Sequence, residues 1–167
     1  YLRSVDVGLS GYKARHNLAM LYLDQQRARE AAAELRLAVT EEPGFVPSWM
    51  ALAEIGRREG RLGETLELAR RLCSGDGLAG LPALLEARAA YDDGQVEACV
   101  RMVRHAIGGG LGTNLGHARR LESHALLRLG RIAEAVPVLR ELLHLVPQDE
   151  EAQSNLRLAL QELGTKR

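Results

Sequence analysis

Small and apolar residues recur along this chain at helical spacing, in paired runs. Leu18, Ala19, Leu21 and Tyr22 mark one face of a first run, which breaks near Gln25 and Gln26. Ala28, Ala31, Leu35 and Ala38 mark the face of a second run. The pattern predicts two helices joined by a tight turn. Moved forward by 34 residues, it repeats: Leu18 falls on Leu52, Ala19 on Ala53, Ala31 on Thr65 and Ala38 on Leu72. A second step of 34 brings Ala19 to Ala87, Ala31 to Cys99, Leu35 to Val103 and Ala38 to Ala106. The third step is 36, with two residues absorbed in the loop around Gly108 to Leu115, and it reaches Ala135, Leu139, Leu142 and Pro147.

The punctuation agrees with the period. Gly60, Gly94 and Gly130 hold one equivalent place, filled by Gln26 in the first unit, where a turn between antiparallel helices favours positive φ. Pro43 and Pro147 follow second helices and stop them. Ala19, Ala53 and Ala87 in first helices, and Ala31, Thr65, Cys99 and Ala135 in second helices, are small enough to let paired helices approach closely. Pro137 sits early in the fourth second helix, where a missing N–H costs little.

With its 34-residue period and this order of small residue, turn glycine, alanine and closing proline, the chain resembles the tetratricopeptide repeat family. The resemblance covers nearly the whole chain. It implies an all-α fold, an α-solenoid coiled as a right-handed superhelix of antiparallel hairpins, and a single domain overall. The repeats run over residues 12–45, 46–79, 80–115 (divergent, with the Gly-rich loop) and 116–149, followed by a capping helix over 150–167. Residues 1–11 read as the end of a preceding repeat's second helix, so the chain is expected to be a piece of a longer protein. Glu86 and Glu122 stand where the family carries a leucine in the first helix.

Composition narrows the function classes. Apolar residues make up 46% of the chain but aromatic ones only 4%, which suits closely packed helices rather than a β-sandwich. The 22 basic residues balance 22 acidic ones, giving no overall pull toward nucleic acid or an anionic membrane. No run reaches the roughly 18 apolar residues that span a bilayer, and neither a basic start nor an apolar stretch marks a signal peptide in residues 1–10. Cys73 and Cys99 make no disulfide framework and fit a reducing, cytoplasmic setting.

Candidate chemistry is sparse, and no catalytic, cofactor or metal site is expected. His16, His105, His117, His124 and His144 do not pair at the i, i+4 spacing of helical metal sites; His117 and His124 are seven apart. The run Gly108 to Gly116 lacks the Lys-Ser/Thr ending of a phosphate loop and follows no strand, so it reads as a flexible inter-repeat loop. Cys73 and Cys99 read as buried structural thiols. Ser10 and Ser123 lack a companion His and Asp. Glu86 and Glu122 could form a carboxylate pair, but neighbouring arginines such as Arg119 offer them a structural role.

The resemblance implies that first helices line the inner, concave face. Residues three, four and seven apart on that face are Lys13, His16, Asn17 and Met20, then Met50, Ala51, Glu54 and Arg57. Leu84, Leu85, Arg88 and Tyr91 follow, then His117, Arg120, Leu121 and His124, with Ser154 and Asn155 on the cap. The expected groove residues are therefore Lys13, His16, Asn17, Met20, Arg57, Arg88, Tyr91, His117, Arg120 and His124. Basic and histidine side chains in the C-terminal half suggest an acidic peptide or protein segment as ligand, and the Asn17 and Asn155 amides suit an extended backbone. Some members of the family clamp chaperone tails with Lys, Asn and Arg. Here the matching Met20, Ala51, Leu81 and Leu85 leave only Lys13 and His16 with suitable chemistry, so that activity is not expected. The functional expectation is a non-enzymatic interaction scaffold whose oligomeric state is left open. The alternatives are an accessory region of a larger enzyme or a self-association module. The first of these is prompted by Gly11 to Ala19, which is similar to repeats joined to bacterial glycosyltransferases.

Overall fold

The computed structural model describes residues 11–75 and 77–165. Among them lie nine α-helices, one short 3₁₀ turn and no strand. The expected remnant of a preceding second helix, and Ser10, lie outside the described residues.

Two compact units divide the chain, Tyr1–Asp76 and Gly77–Arg167. The first holds α1 (Tyr12–Asp24), α2 (Ala28–Glu41), α3 (Val46–Arg58) and α4 (Leu62–Leu72). Each of these packs on the next in chain order. The second holds α5 (Leu81–Asp92), α6 (Val96–Gly109), the 3₁₀ turn Gly112–Asn114, α7 (Leu115–Arg128), α8 (Ile132–Leu145) and α9 (Glu150–Thr165). These helices also pack serially, and α5 touches α7 as well, so that successive first helices are neighbours.

The seams follow from residue size. Ala19, Ala31, Ala87, Cys99 and Ala135 are all fully buried, and Ala53 and Thr65 nearly so. Short side chains there let facing backbones approach, and larger residues beside them fill the core: Leu35, Val39, Trp49, Leu139 and Leu142. Trp49 keeps its polar edge satisfied, with Nε1 donating to the Pro43 carbonyl at 2.9 Å. The equivalent slot in α7 belongs to Ser123, also fully buried. Its hydroxyl donates to the Arg120 carbonyl one turn earlier at 2.8 Å, which removes it as a candidate nucleophile.

Turn chemistry matches the expectation. Gly60, Gly94 and Gly130 take φ of 70°, 80° and 70°, and Gln26 adopts the same left-handed conformation with φ 59°. The helices α2 and α8 end at Glu41 and Leu145, two residues before Pro43 and Pro147. Pro137 is the sixth residue of α8, beyond the four positions whose N–H groups are free in any helix. The helix continues through it because the Ala133 carbonyl left without a donor lies on an exposed turn that water can reach.

Two expectations change. Leu18 and Leu21 do not share the buried face of α1 with Ala19, being 38% and 58% exposed. The glycine-rich run after α6 is a packed junction rather than a flexible loop. Gly80 N donates to the Gly110 carbonyl at 2.8 Å, and Leu111 and Asn114 are buried. A Cβ on Gly80 would lie 1.9 Å from the Ala106 carbonyl oxygen. Gly110, with φ 90°, would bring one to 3.1 Å from the Gly77 carbonyl oxygen. The two residues added to the repeat period are thus used to let one backbone rest on another.

That contact is testable. Gly80→Ala must displace backbone at both loops and is expected to cost about 3 kcal/mol. Gly63→Ala, on α4 with open space around its Cβ position, should be neutral or slightly stabilising. Urea midpoints of the two variants check both outcomes, and equal midpoints would contradict the close backbone approach.

Candidate functional site

In the first unit, α1 presents Lys13 and Asn17 to solvent, with Met20 half-buried. The Asn17 amide makes no hydrogen bond among the described residues. Lys13 Nζ lies 5.8 Å from the centroid of the Tyr12 ring. His16 is turned toward α3: Nδ1 lies 3.1 Å from the buried Ser48 Oγ, and its ring meets Phe45 edge-on at 5.3 Å. Burial holds His16 below its ordinary pKa of 6.5, because charging the ring would cost solvation. Arg57 is committed within the helix, its Nε and Nη2 donating to the two oxygens of Glu54 at 2.9 and 3.1 Å.

In the second unit the expected basic face is present, but its cations already have partners. Arg88 donates to both oxygens of Asp92, at 3.1 and 3.0 Å. Arg120 places Nε and Nη2 on Asp149 Oδ2 at 3.0 and 2.7 Å. The other oxygen, Oδ1, accepts from the Ala152 N–H at 3.0 Å and caps the first turn of α9. His124 Nε2 stands 3.4 Å from Glu151 Oε1. Tyr91 is half-buried beneath the Arg128 guanidinium, 5.1 Å from the ring centroid, and its carbonyl accepts from Arg128 Nη1 at 3.3 Å. His117 is half-buried and held below its ordinary pKa by burial first and by repulsion from Arg120 second.

Leu84, Leu85 and Leu121, expected on the open face, are buried, because α5 is covered by both α6 and α7. The acidic partners Asp92, Asp149 and Glu151 were absent from the groove reading. Asp149 carried a usable signal, an Asp before Glu150 and Glu151 at a helix start after Pro147. Its reach to Arg120, 29 residues away, carried none.

Glu122 is the most heavily committed charge. Its side chain is 2% exposed and accepts from Arg104 Nε of α6 and from Arg119 Nη1, each at 2.7 Å. Arg104 continues to Glu134 at 3.2 Å and Arg119 to Glu141 at 2.7 Å, both on α8. The residue that stands in place of a seam leucine therefore ties three successive helices together by charge. Glu86 is half-buried and makes its own interactions.

The thiols of Cys73 and Cys99 are buried and pushed up to about 11, which keeps them protonated and unreactive near neutral pH. Among the described residues no cluster of three His, Cys, Asp or Glu side chains could hold a metal ion. No helix there is long and apolar enough to cross a membrane.

Two predictions follow from these charges. Glu122→Ala removes the carboxylate that Arg104 and Arg119 share, leaving each with a partner on α8, and should cost about 2 kcal/mol in urea unfolding, below the range for a fully buried pair since Arg104 is half-exposed. Glu122→Leu, which refills the volume, should cost clearly less. For His16 and His117 the folded state binds the proton more weakly than the unfolded chain. Their contribution is complete above the ordinary value of 6.5 and is lost as pH falls below it. Urea midpoints should therefore drop between about pH 7.5 and 5.5, and the His16→Gln/His117→Gln variant should show a smaller drop.

Residues 12–45 match the family described as tetratricopeptide repeat. No curated relative matches the chain. Solved structures similar to it include that of Pseudomonas aeruginosa pilF, with TM-score 0.61 and 17% identity over 92% of this chain and 69% of that one. Another is YrrB, described as a TPR protein with an unusual peptide-binding site, with TM-score 0.52 and 14% identity over 98% of this chain and 83% of that one. A third is a putative kinesin light chain of Podosopora anserina with nearly identical TPR-like repeats, with TM-score 0.54 and 18% identity over 92% and 87%. At these identities the likeness is one of fold.

Proposed function

We propose that this chain, built on the tetratricopeptide fold, is a protein–protein interaction scaffold that holds an extended peptide segment on its first helices, with α1 as the principal contact in the first unit. One observation carries the reading. Serial packing consumes the seam residues and leaves on α1 an exposed row, Lys13 and Asn17, neither held by an ion pair or hydrogen bond among the described residues, with Met20 beside it. An amide with both donor and acceptor free can pair with a peptide backbone, and a thioether adapts to varied side chains. A structural relative of the same fold, YrrB, is described as having a peptide-binding site, which supports this use of the scaffold. The second unit offers Tyr91, His117 and His124 on α5 and α7, but its arginines are engaged with Asp92 and Asp149. An acidic ligand there would have to displace those carboxylates, so peptide shape and backbone pairing are the stronger basis for recognition.

Selecting peptides from a displayed random library on the folded protein, then following backbone amide shifts by NMR during titration, tests the proposal. Shifts should concentrate on α1 and α3. Lys13→Ala/Asn17→Ala should weaken the selected peptide about tenfold while leaving the unfolding midpoint unchanged. Shifts confined to second helices, or an affinity indifferent to both substitutions, would refute it.

A further inference from the structure

Most arginines among the described residues pair with a carboxylate, some along one helix, as Arg88 with Asp92, and others across helices, as Arg120 with Asp149. Arg29 and Arg36 on α2 are exposed and form no ion pair among the described residues. Seven residues apart, they lie on one helix face about 10 Å apart along the axis. Both line an open cleft of about 540 Å³ in the first unit, together with Ala32 and with Glu59 and Arg61 from the turn between α3 and α4. Three guanidiniums thus surround one carboxylate. Glu59 accepts a short hydrogen bond from Arg61 Nη2, and the fields of Arg29 and Arg36 also reach it. The Glu59 carboxylate shows what the cleft accommodates, and it leaves two of the three cations unneutralised.

We infer that this cleft, on the second-helix side of the first unit, is a docking site for an acidic peptide segment whose carboxylates bridge Arg29 and Arg36. The spacing selects the occupant. Helix positions about 10 Å apart along the axis match an extended chain, which advances about 3.3 Å per residue and places acidic side chains two to four positions apart beside both arginines. Charge decides the location, since Arg57, Arg88 and Arg120 on first helices are occupied by Glu54, Asp92 and Asp149. The site is separate from the α1 face and does not rest on the function proposed for it.

The probe is a fluorescein-labelled octaglutamate peptide, titrated with the full chain by anisotropy at low ionic strength, with inorganic phosphate as competitor. Binding is expected, falling about tenfold in Arg29→Gln/Arg36→Gln, with circular dichroism unchanged. Glu59→Gln, which removes the internal carboxylate, should bind more tightly than the parent chain. Arg88→Gln should bind like the parent. Absence of binding, or a loss caused by Arg88→Gln but not by the Arg29 and Arg36 changes, would overturn the proposal. Phosphate competing at concentrations that match the peptide would overturn it too, since that marks a single-anion site.

Discussion

Close approach of paired helices at small residues is the constraint on which the rest of this structure depends. Where Ala19 and Ala31 are fully buried on α1 and α2, or Ala87 and Cys99 on α5 and α6, neither helix carries a side chain that would hold the axes apart. The hairpins therefore close on their small faces, and the flanking Leu, Val and Trp side chains fill the space against the next helix in the chain. Each turn must then be short, which is why the four equivalent turn positions all adopt left-handed φ, even where the residue is glutamine. The one place where the period lengthens obeys the same rule. At Gly80 and Gly110 the chain uses glycines to bring two backbones together, and the extra residues are spent on that contact.

Electrostatics is layered on this packing rather than driving it. The chain carries equal numbers of acidic and basic residues, and many are matched over short distances along one helix, as in Arg57 with Glu54 and Arg131 with Glu134. Such exposed pairs contribute little to stability individually. Glu122 is different, because it is buried in a seam and bonded to guanidiniums on both sides. A buried charge adds less stability than an apolar side chain of the same size, but it tolerates few alternative arrangements. With its two arginines it links α6, α7 and α8 through ion pairs.

The distribution of unmatched charge gives the surface its character. Pairing engages Arg88 on α5 and Arg119 and Arg120 on α7 with carboxylates, leaving those faces closer to neutral than their residue types imply. On α2 the arginines Arg29 and Arg36 keep their charge available beside a cleft. On the proposals made above, the first helices would recognise a ligand by amides and adaptable side chains, and the α2 cleft would recognise acidic groups.

The amino-acid sequence by itself determined the helices, their order and their seams. Each of these depends on residues within one 34-residue period: a small residue at a fixed place, a turn position and a closing proline. Ala19, Ala31 and Cys99 were legible as seam residues for that reason, and so was the left-handed turn at Gln26. Only the tertiary structure decided which charges stay free and which faces stay open. Arg120 meets Asp149, and Arg104 meets Glu122, across contacts 29 and 18 residues apart that no local pattern encodes. Leu84 and Leu85 are buried on α5, which α6 and α7 both cover, whereas Leu21 on α1 is 58% exposed. Local periodicity dictates the shape of a hairpin, but the availability of a side chain is set by neighbours distant in the chain.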